Sequence, residues 1–253
     1  MATELAHALA VRGRAWQWPC GDFTVMPTAA LGRAERAIAH VLFDIAYDRA
    51  NHAYLDKSLT RLRFIAFAVV DGEPAGFALN DRLVVDLPHV GRQWIYLGGL
   101  CCIDPRFRRR GLFGHLERLA GDAAGSALGA RVLAAGRMAH PASYRGALRN
   151  PTHVPRVGET PTPPQQAVGL AVAEIYGSRL DPETFATIGD GTPIGYPRMD
   201  VEATPEEWRS FVHVNRDRGD ALLSLTWSPT APEGWDTPPR GGVVSARTRR
   251  SRR

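Results

Sequence analysis

Residues 96–119 decide the fold, and they read YLGGLCCIDPRFRRRGLFGHLERL. The part up to Ile103 is an apolar run of strand length, and the part after Gly111 has the apolar spacing of an amphipathic helix. A short loop with three consecutive arginines, Arg108–Arg110, and a glycine, Gly111, joins the two. At the start of a helix, such a loop directs backbone N–H groups and the positive end of the helix dipole to one point. This arrangement is typical of a phosphate site.

The composition sets the class of protein. The chain has 253 residues, 44% of them hydrophobic, which is enough for one large domain with a sizeable core. No apolar run approaches the ~20 residues that span a bilayer, and the first residues lack the pattern of a secretory signal. The three cysteines have the spacing of neither a disulfide framework nor a metal site. We expect a cytoplasmic protein with no membrane segment and no metal.

The net charge of +5 comes from the end of the chain. Residues 240–253 contain six arginines and no acid, so the rest of the chain is about neutral. A basic tail can contact nucleic acid, but the rest of the sequence shows no matching basic face. We therefore expect a disordered tail and do not expect a nucleic-acid partner.

The elements around residues 96–119 indicate a layered α/β domain. In chain order, the apolar spacing predicts a strand at 22–26, a helix at 29–49, a hairpin of strands at 63–70 and 75–79, a strand at 93–103, a helix at 110–126, a strand at 131–135 and a helix at 141–149. The predicted apolar face of the helix at 29–49 consists of Leu31, Ala34, Ile38, Val41, Leu42, Ile45 and Ala46. The hairpin turn is Asp71-Gly72, a pair that readily adopts the positive φ angles of a tight turn.

The remainder of the chain is a predicted extension. A segment rich in Pro and Thr at 150–164 precedes a helix at 165–176, helix starts at 181–183 and 204–207, and a strand at 221–227 that we expect to complete the sheet. We divide the chain into a lead-in at 1–20, a core at 21–150, a helical extension with the final strand at 151–228, and a basic tail at 229–253.

The loop resembles the acyl-CoA-binding motif of the GCN5-related N-acetyltransferase (GNAT) superfamily, Gln/Arg-x-x-Gly-x-Gly/Ala. Arg108 takes the first position and Gly111 the glycine, whereas Phe113 stands where Gly or Ala is expected and Gly114 follows one residue late. The exit from the strand, Pro-x-aromatic-Arg at 105–108, and the order of the elements are also similar to that family. The resemblance implies an α/β fold with a central mixed, mostly antiparallel sheet flanked by helices.

The resemblance further implies that acetyl-CoA is the co-substrate. The end of the strand would bind the pantetheine arm, and the loop amides would bind the pyrophosphate. The residues so assigned are Cys101, Cys102, Ile103, Arg108, Arg109, Arg110, Gly111, Leu112, Phe113 and Gly114. Gly98 and Gly99 would mark the point where this strand leaves its neighbour, because glycine pairs weaken a ladder.

The implied reaction is transfer of an acetyl group to the primary amine of a small molecule by direct attack. Tyr144 lies about where many family members have a tyrosine that protonates the leaving thiolate, and a packing role is its alternative. His140 is the candidate base, and a capping role is its alternative. Cys101 and Cys102 lack an adjacent activating histidine, so we do not expect an acyl-cysteine intermediate.

Three other interpretations stay open. The protein could transfer a longer acyl or aminoacyl group, it could be a non-catalytic acyl-CoA sensor with a degenerate motif, or it could act on nucleic acid through its tail. The sequence names no acceptor, and it leaves a homodimer open.

Overall fold

A computed structural model describes residues 14–123 and 130–235. The strands are β1 (Arg14–Trp18), β2 (Gly21–Pro27), β3 (Tyr47–Asp48), β4 (Phe64–Val70), β5 (Glu73–Leu87), β6 (Gly91–Ile103), β7 (Val132–Met138), β8 (Arg179–Leu180), β9 (Ala186–Ile188), β10 (Tyr196–Pro197) and β11 (Ala221–Ser228). The helices are α1 (Arg33–Ala46), α2 (His52–Arg61), α3 (Leu112–Ala123), α4 (Pro141–Leu148), α5 (Pro163–Ile175) and α6 (Pro205–Trp208).

One mixed sheet organises the molecule. Its strand order is β1-β2-β4-β5-β6-β7-β11-β9-β8, while β3 and β10 form a separate two-stranded ribbon. Within the described residues, β6 and β7 are the one parallel pair of the large sheet, and the other neighbours are antiparallel. The predicted fold class, an α/β layered fold with a mostly antiparallel mixed sheet between helices, is confirmed.

The two faces of the sheet carry separate clusters of buried side chains. Along β4 the residues alternate, so that Ile65 and Phe67 join the cluster that contains α1, whereas Ala66 and Ala68 join the cluster that contains α3. The helices α1 and α3 therefore cover opposite faces of the sheet.

The turn between β4 and β5 has the predicted chemistry. Asp71 and Gly72 have φ angles of 53° and 79°, and the strands that they join pair in antiparallel register. Two consecutive positive φ angles match the right-handed twist of a hairpin. The predicted hairpin is confirmed, although β5 continues well past residue 79 to Leu87.

Helix α1 is shorter than predicted and buries a different stripe. Its buried residues are Glu35, Ile38, Ala39, Leu42, Phe43 and Ala46, which recur every three or four positions. Val41, which we had placed on the apolar face, is 55% exposed. The predicted face was rotated because Val41 and Ile45 were counted in place of Ala39 and Phe43.

Three further predictions need correction. Residues 181–183 do not start a helix, because the carboxylate of Asp181 accepts from the amide of Glu183 and the hydroxyl of Thr184 in an isolated turn. Helix α2 and strand β1, which lies within the predicted lead-in, were not predicted. The expected disorder from residue 229 does not hold up to Trp235, whose buried indole donates to the carbonyl oxygen of Thr152. Residues 236–253 lie outside the described part of the chain.

The final strand joins the sheet as expected. β11 pairs antiparallel with β7 from Leu222–Met138 to Ser228–Val132, and Val154 forms a bridge to Leu225 on its other edge. The helix start at 204–207 is also confirmed, with a capping box between Thr204 and Glu207. Among the helices of the described residues, none is sufficiently long and apolar to cross a membrane.

Candidate active site

The central feature of the site is a gap between β6 and β7. The two strands pair from Trp94–Val132 to Gly98–Gly136, and beyond that point the parallel ladder ends although β6 continues to Ile103. The separation begins at Gly98, as the glycine pair predicted. A strand edge that loses its partner inside a sheet leaves backbone groups available to a ligand.

A bulge in β6 accompanies the separation. The register of β5 and β6 shifts between Ala78 and Asn80, so that Leu79 faces both Gly99 and Leu100. A Cβ atom on Gly99 would lie 2.7 Å from the carbonyl oxygen of Leu79 and would overlap the side chain of Leu62. Only glycine fits at this position of the bulge.

The loop after β6 is fixed by buried anchors. Asp104 is buried, and its carboxylate accepts from the amide and the guanidinium of Arg106. Phe107 is buried in the α3 cluster, and Arg109 and Gly111 adopt φ angles of 64° and 79°. Within the described residues, no acceptor is in contact with the backbone N–H groups of residues 109–111. Backbone donors at the start of a helix suit a phosphate, and the assignment of this loop to the cofactor stays a prediction.

The side chains of the loop take separate directions. The guanidinium of Arg108 donates to the carbonyl oxygen of Ile103 and to Asp200, so it braces the end of β6. Arg110 lies 3.6 Å from the carboxylate of Asp71. Leu112 is buried in the core, whereas Phe113 is 60% exposed. The side chain of Phe113, the residue that departs from the family motif, therefore lies on the outer surface of α3. Its backbone N–H lies in the first turn of that helix.

The two cysteines of β6 face opposite sides of the sheet. Cys102 belongs to the α1 cluster, and Cys101 packs beside the α3 cluster. Burial raises the pKa of both thiols. A thiol with a raised pKa is a poor nucleophile at neutral pH, which agrees with the expectation that neither forms an acyl-enzyme.

The structure gives Tyr144 a packing environment. Its hydroxyl donates to the carbonyl oxygen of Pro155, and its ring packs edge-on against His153 and Phe211. The side chain is 2% exposed, and burial raises the pKa of its phenol. The resemblance implies that the hydroxyl proton of Tyr144 goes to the thiolate, but in the structure this proton is held by the carbonyl oxygen of Pro155.

His140 caps α4. Its Nδ1 accepts a hydrogen bond from the amide of Ala142, which fixes the neutral ring with its proton on Nε2. Burial, followed by the charges of Arg216 and Arg145, lowers the pKa of His140. The lone pair that a base needs is occupied by the cap, so this geometry favours the structural alternative for His140.

Tyr176, which sequence reasoning missed, lies at the narrow end of the gap. Its hydroxyl is 2.8 Å from the carbonyl oxygen of Gly98 and 2.9 Å from that of Ala135, one on each separating strand. The phenol has one proton for two acceptors, and burial raises its pKa, so it is neutral at pH 7. Only its position at the end of an amphipathic helix was visible in the sequence.

Glu117 approaches the same point from the α3 face. The hydroxyl of Tyr96 donates to its carboxylate at 2.5 Å, and the thiol of Cys101 also contacts that carboxylate. The amide oxygen of the fully buried Asn80, next to them, has no partner in the described part of the chain. Burial raises the pKa of Glu117 to about 7, partly opposed by these hydrogen bonds. The gap is therefore flanked by a phenol on one face and a titratable carboxyl on the other.

The described residues were also compared with the side-chain groups that bind metal ions. Among the described residues, no three His, Cys, Asp or Glu side chains lie together in an arrangement that could hold a metal ion.

Comparison with known proteins finds similar solved structures. No family model and no curated protein matches the chain. The ribosomal-protein-S18-alanine N-acetyltransferase of Escherichia coli is 14% identical with a TM-score of 0.40, over 84% of this chain and 97% of that one. A GNAT family acetyltransferase of Brucella melitensis in complex with acetyl-CoA is 18% identical with a TM-score of 0.33, over 49% of this chain and 79% of that one.

A probable N-acyltransferase of Enterococcus faecalis is 15% identical with a TM-score of 0.36, over 49% of this chain. The match spans 31% of the length of that protein. Within the described residues, the present structure has one parallel strand pair, a gap beside a glycine bulge and a loop that leads into α3.

Proposed function

We propose that the protein is an acyl-CoA-dependent N-acyltransferase that moves an acetyl group from acetyl-CoA to the primary amine of a small molecule in the cytoplasm. The observation that carries this proposal is that β6 leaves β7 after Gly98 and leads into a loop, residues 109–111, whose amides have no acceptor among the described residues. A pantetheine arm can lie along the free edge of β6 as an added strand would, while the diphosphate is held by the loop and the helix dipole.

The arrangement supports direct attack. The amine nitrogen bonds to the thioester carbonyl carbon, the C–S bond breaks, the thiolate takes a proton, and the new amide loses one to water. We assign the proton donor to Tyr176. Its proton, like that of Tyr144, is held by backbone carbonyls; what favours Tyr176 is that these carbonyls belong to the two strands where they separate. Tyr144 and His140 stay predictions from the resemblance, and both have structural partners.

Two conservative substitutions distinguish the roles of Tyr176 and Tyr144. We expect Tyr176→Phe to lower kcat by about tenfold or more while acetyl-CoA still binds, because only the proton donor is lost. Tyr144→Phe should lower the free energy of unfolding by about 1 kcal/mol, because it leaves the carbonyl of Pro155 without its donor, and should leave kcat nearly unchanged. Steady-state kinetics and urea unfolding of both variants measure this. A larger loss of kcat in Tyr144→Phe would return the acid role to Tyr144.

The cofactor site is tested at Gly111. This residue has φ of 79°, and nothing lies within 4 Å of where a Cβ would stand. We expect Gly111→Val to abolish the rise in Tm that acetyl-CoA causes, because a branched side chain distorts the loop and covers its amides. The matched control is Gly91→Val in the β5–β6 turn, where φ is 69° and the space is equally open.

If Gly91→Val keeps the response to acetyl-CoA and Gly111→Val loses it, the loop is the cofactor site. An unchanged response in Gly111→Val would remove the basis of the proposal. Release of coenzyme A thiol with a panel of amines then distinguishes a transferase from a sensor, which would bind acetyl-CoA and release no thiol with any amine.

A further inference from the structure

Arg137 stands beside the gap on the face opposite α3. It follows Gly136, the last residue of β7 that pairs with β6. Its guanidinium donates to the hydroxyl oxygens of Ser178 at 2.7 Å and Tyr54 at 2.5 Å, and it lies over the rings of Tyr54 and Tyr176. The guanidinium is thus held in one orientation by Tyr54 of α2 and by Tyr176 and Ser178 of the turn between α5 and β8.

The positive charge at this place is not neutralised by contact. Lys57 and Arg61 lie at the same cavity as Arg137. Within the described residues, none of these three cations has a carboxylate within 4 Å. Twelve such pairs of an arginine or a histidine with a carboxylate occur elsewhere among the described residues, for example Arg145–Glu207 and Arg63–Asp81. A cluster of cations without a counter-charge attracts an anion.

The cavity is small and adjoins the reacting end of the gap. Its volume is about 30 Å3, and its walls include Tyr54, Arg61, Arg137, Tyr176 and Ser178. A single water needs on the order of 10–15 Å3 measured in this way, so the space suits a group of two or three heavy atoms. The ring of Tyr176 forms one wall, and the hydroxyl of the same residue contacts Gly98 at the narrow end of the gap. A group in the cavity is therefore separated from the place proposed for the thioester only by the side chain of Tyr176.

We propose that this cavity binds a carboxylate of the acceptor, and that the acceptors are amines that carry a carboxylate a few bonds from the nitrogen, as amino acids do. A carboxylate fits the volume and the planar fork of Arg137, and Ser178 supplies a further hydroxyl. This inference rests on the proposed function, since it names the class of acceptor for the same site.

The experiment compares each amino acid with its own primary amide and with the amine that lacks the carboxyl group. We expect the wild-type protein to prefer the amino acid by about tenfold or more in kcat/KM for thiol release. Arg137→Gln should remove that preference, so that acids and amides react with similar kcat/KM, while the binding of acetyl-CoA stays unchanged. The control is Arg209→Gln, an exposed arginine paired with Glu206 on α6, which should change nothing.

A second readout does not depend on transfer. Amino acids added alone should raise the Tm of the wild-type protein and not that of Arg137→Gln, whereas the amides should raise neither. If no amine releases thiol but this difference appears, the transferase proposal fails and the carboxylate site stands. Should Arg137→Gln not fold, Arg61→Gln serves in its place, because that side chain is exposed.

Equal kcat/KM for acids and amides in the wild-type protein would overturn the inference. So would an Arg137→Gln protein that loses activity toward both classes alike. A rise in the KM for acetyl-CoA with an unchanged acceptor preference would show that the cations serve the cofactor, and would also overturn it.

Discussion

Replacing Gly99 by alanine will lower the free energy of unfolding by about 3 kcal/mol or more, whereas replacing its neighbour Gly98 will cost less than about 1 kcal/mol. The new methyl group at Gly99 would lie 2.7 Å from the carbonyl oxygen of Leu79, inside the side chain of Leu62. The carbonyl belongs to β5 in the middle of the sheet, so it cannot move without disturbing the bulge. At Gly98 the methyl group would meet its nearest neighbour, the carbonyl oxygen of Ala135, at 3.4 Å, an ordinary contact.

Urea unfolding of both alanine variants measures the difference. The two substitutions are one residue apart in the same strand, with the same gain in side-chain volume, so intrinsic strand propensity cancels between them. Equal stabilities would show that the bulge can relax, and the geometry of the gap would then not depend on Gly99. A large loss at Gly99 would show that the bulge is a fixed part of the fold.

Local patterns predicted much of the architecture. The turn at Asp71-Gly72, the strand that ends at Ile103 and the helix that follows the glycine loop all depend on residues close together in the sequence. Helix α2 also carried a local signal that was not used, since Asn51 caps it and Leu55 and Leu59 lie four residues apart on its buried side.

The site could be predicted only in part, because its side chains come from distant segments. Tyr176 contacts Gly98 across 78 residues of sequence, and Tyr96 contacts Glu117 across 21. No spacing rule in the sequence connects the residues of these pairs. They are brought together by the crossover from β6 through α3 to β7 and by the packing of α5. The same holds for Tyr144, whose place in the sequence suggested an acid but whose hydroxyl is taken by Pro155.

Glu117 should make the stability of the protein depend on pH, and Glu117→Gln should remove that dependence. Burial raises the pKa of this carboxyl from 4.5 to about 7. Below about pH 4.5 the group is protonated in both the folded and the unfolded protein, so it contributes no difference. Between about pH 4.5 and 7 the unfolded chain loses this proton and the folded one keeps it, so the free energy of unfolding falls as the pH rises.

The full shift would correspond to roughly 3 kcal/mol, and the half-buried position of the residue reduces the expected cost to about 2 kcal/mol. We therefore expect Glu117→Gln to be more stable than the wild-type protein by about 2 kcal/mol at pH 8, and equal to it near pH 4. Glutamine keeps an oxygen that can accept from Tyr96, so packing is nearly unchanged. Urea unfolding at both pH values measures this; the control is Glu206→Gln, whose exposed carboxyl has no such environment.

A carboxyl that lowers stability at neutral pH, beside the gap, is an expected feature of a site that exchanges protons. If Glu117 supplies a proton to the departing thiolate together with Tyr176, kcat will fall as the pH rises through about 7, and the fall will disappear in Glu117→Gln with a lower kcat throughout. If instead the carboxylate removes the proton of the amine, kcat will rise through the same range. A kcat without inflection near pH 7, together with equal stability of both proteins at pH 8, would mean that the carboxyl is ionised at ordinary pH and that its place beside Tyr96 and Cys101 does not hold a proton.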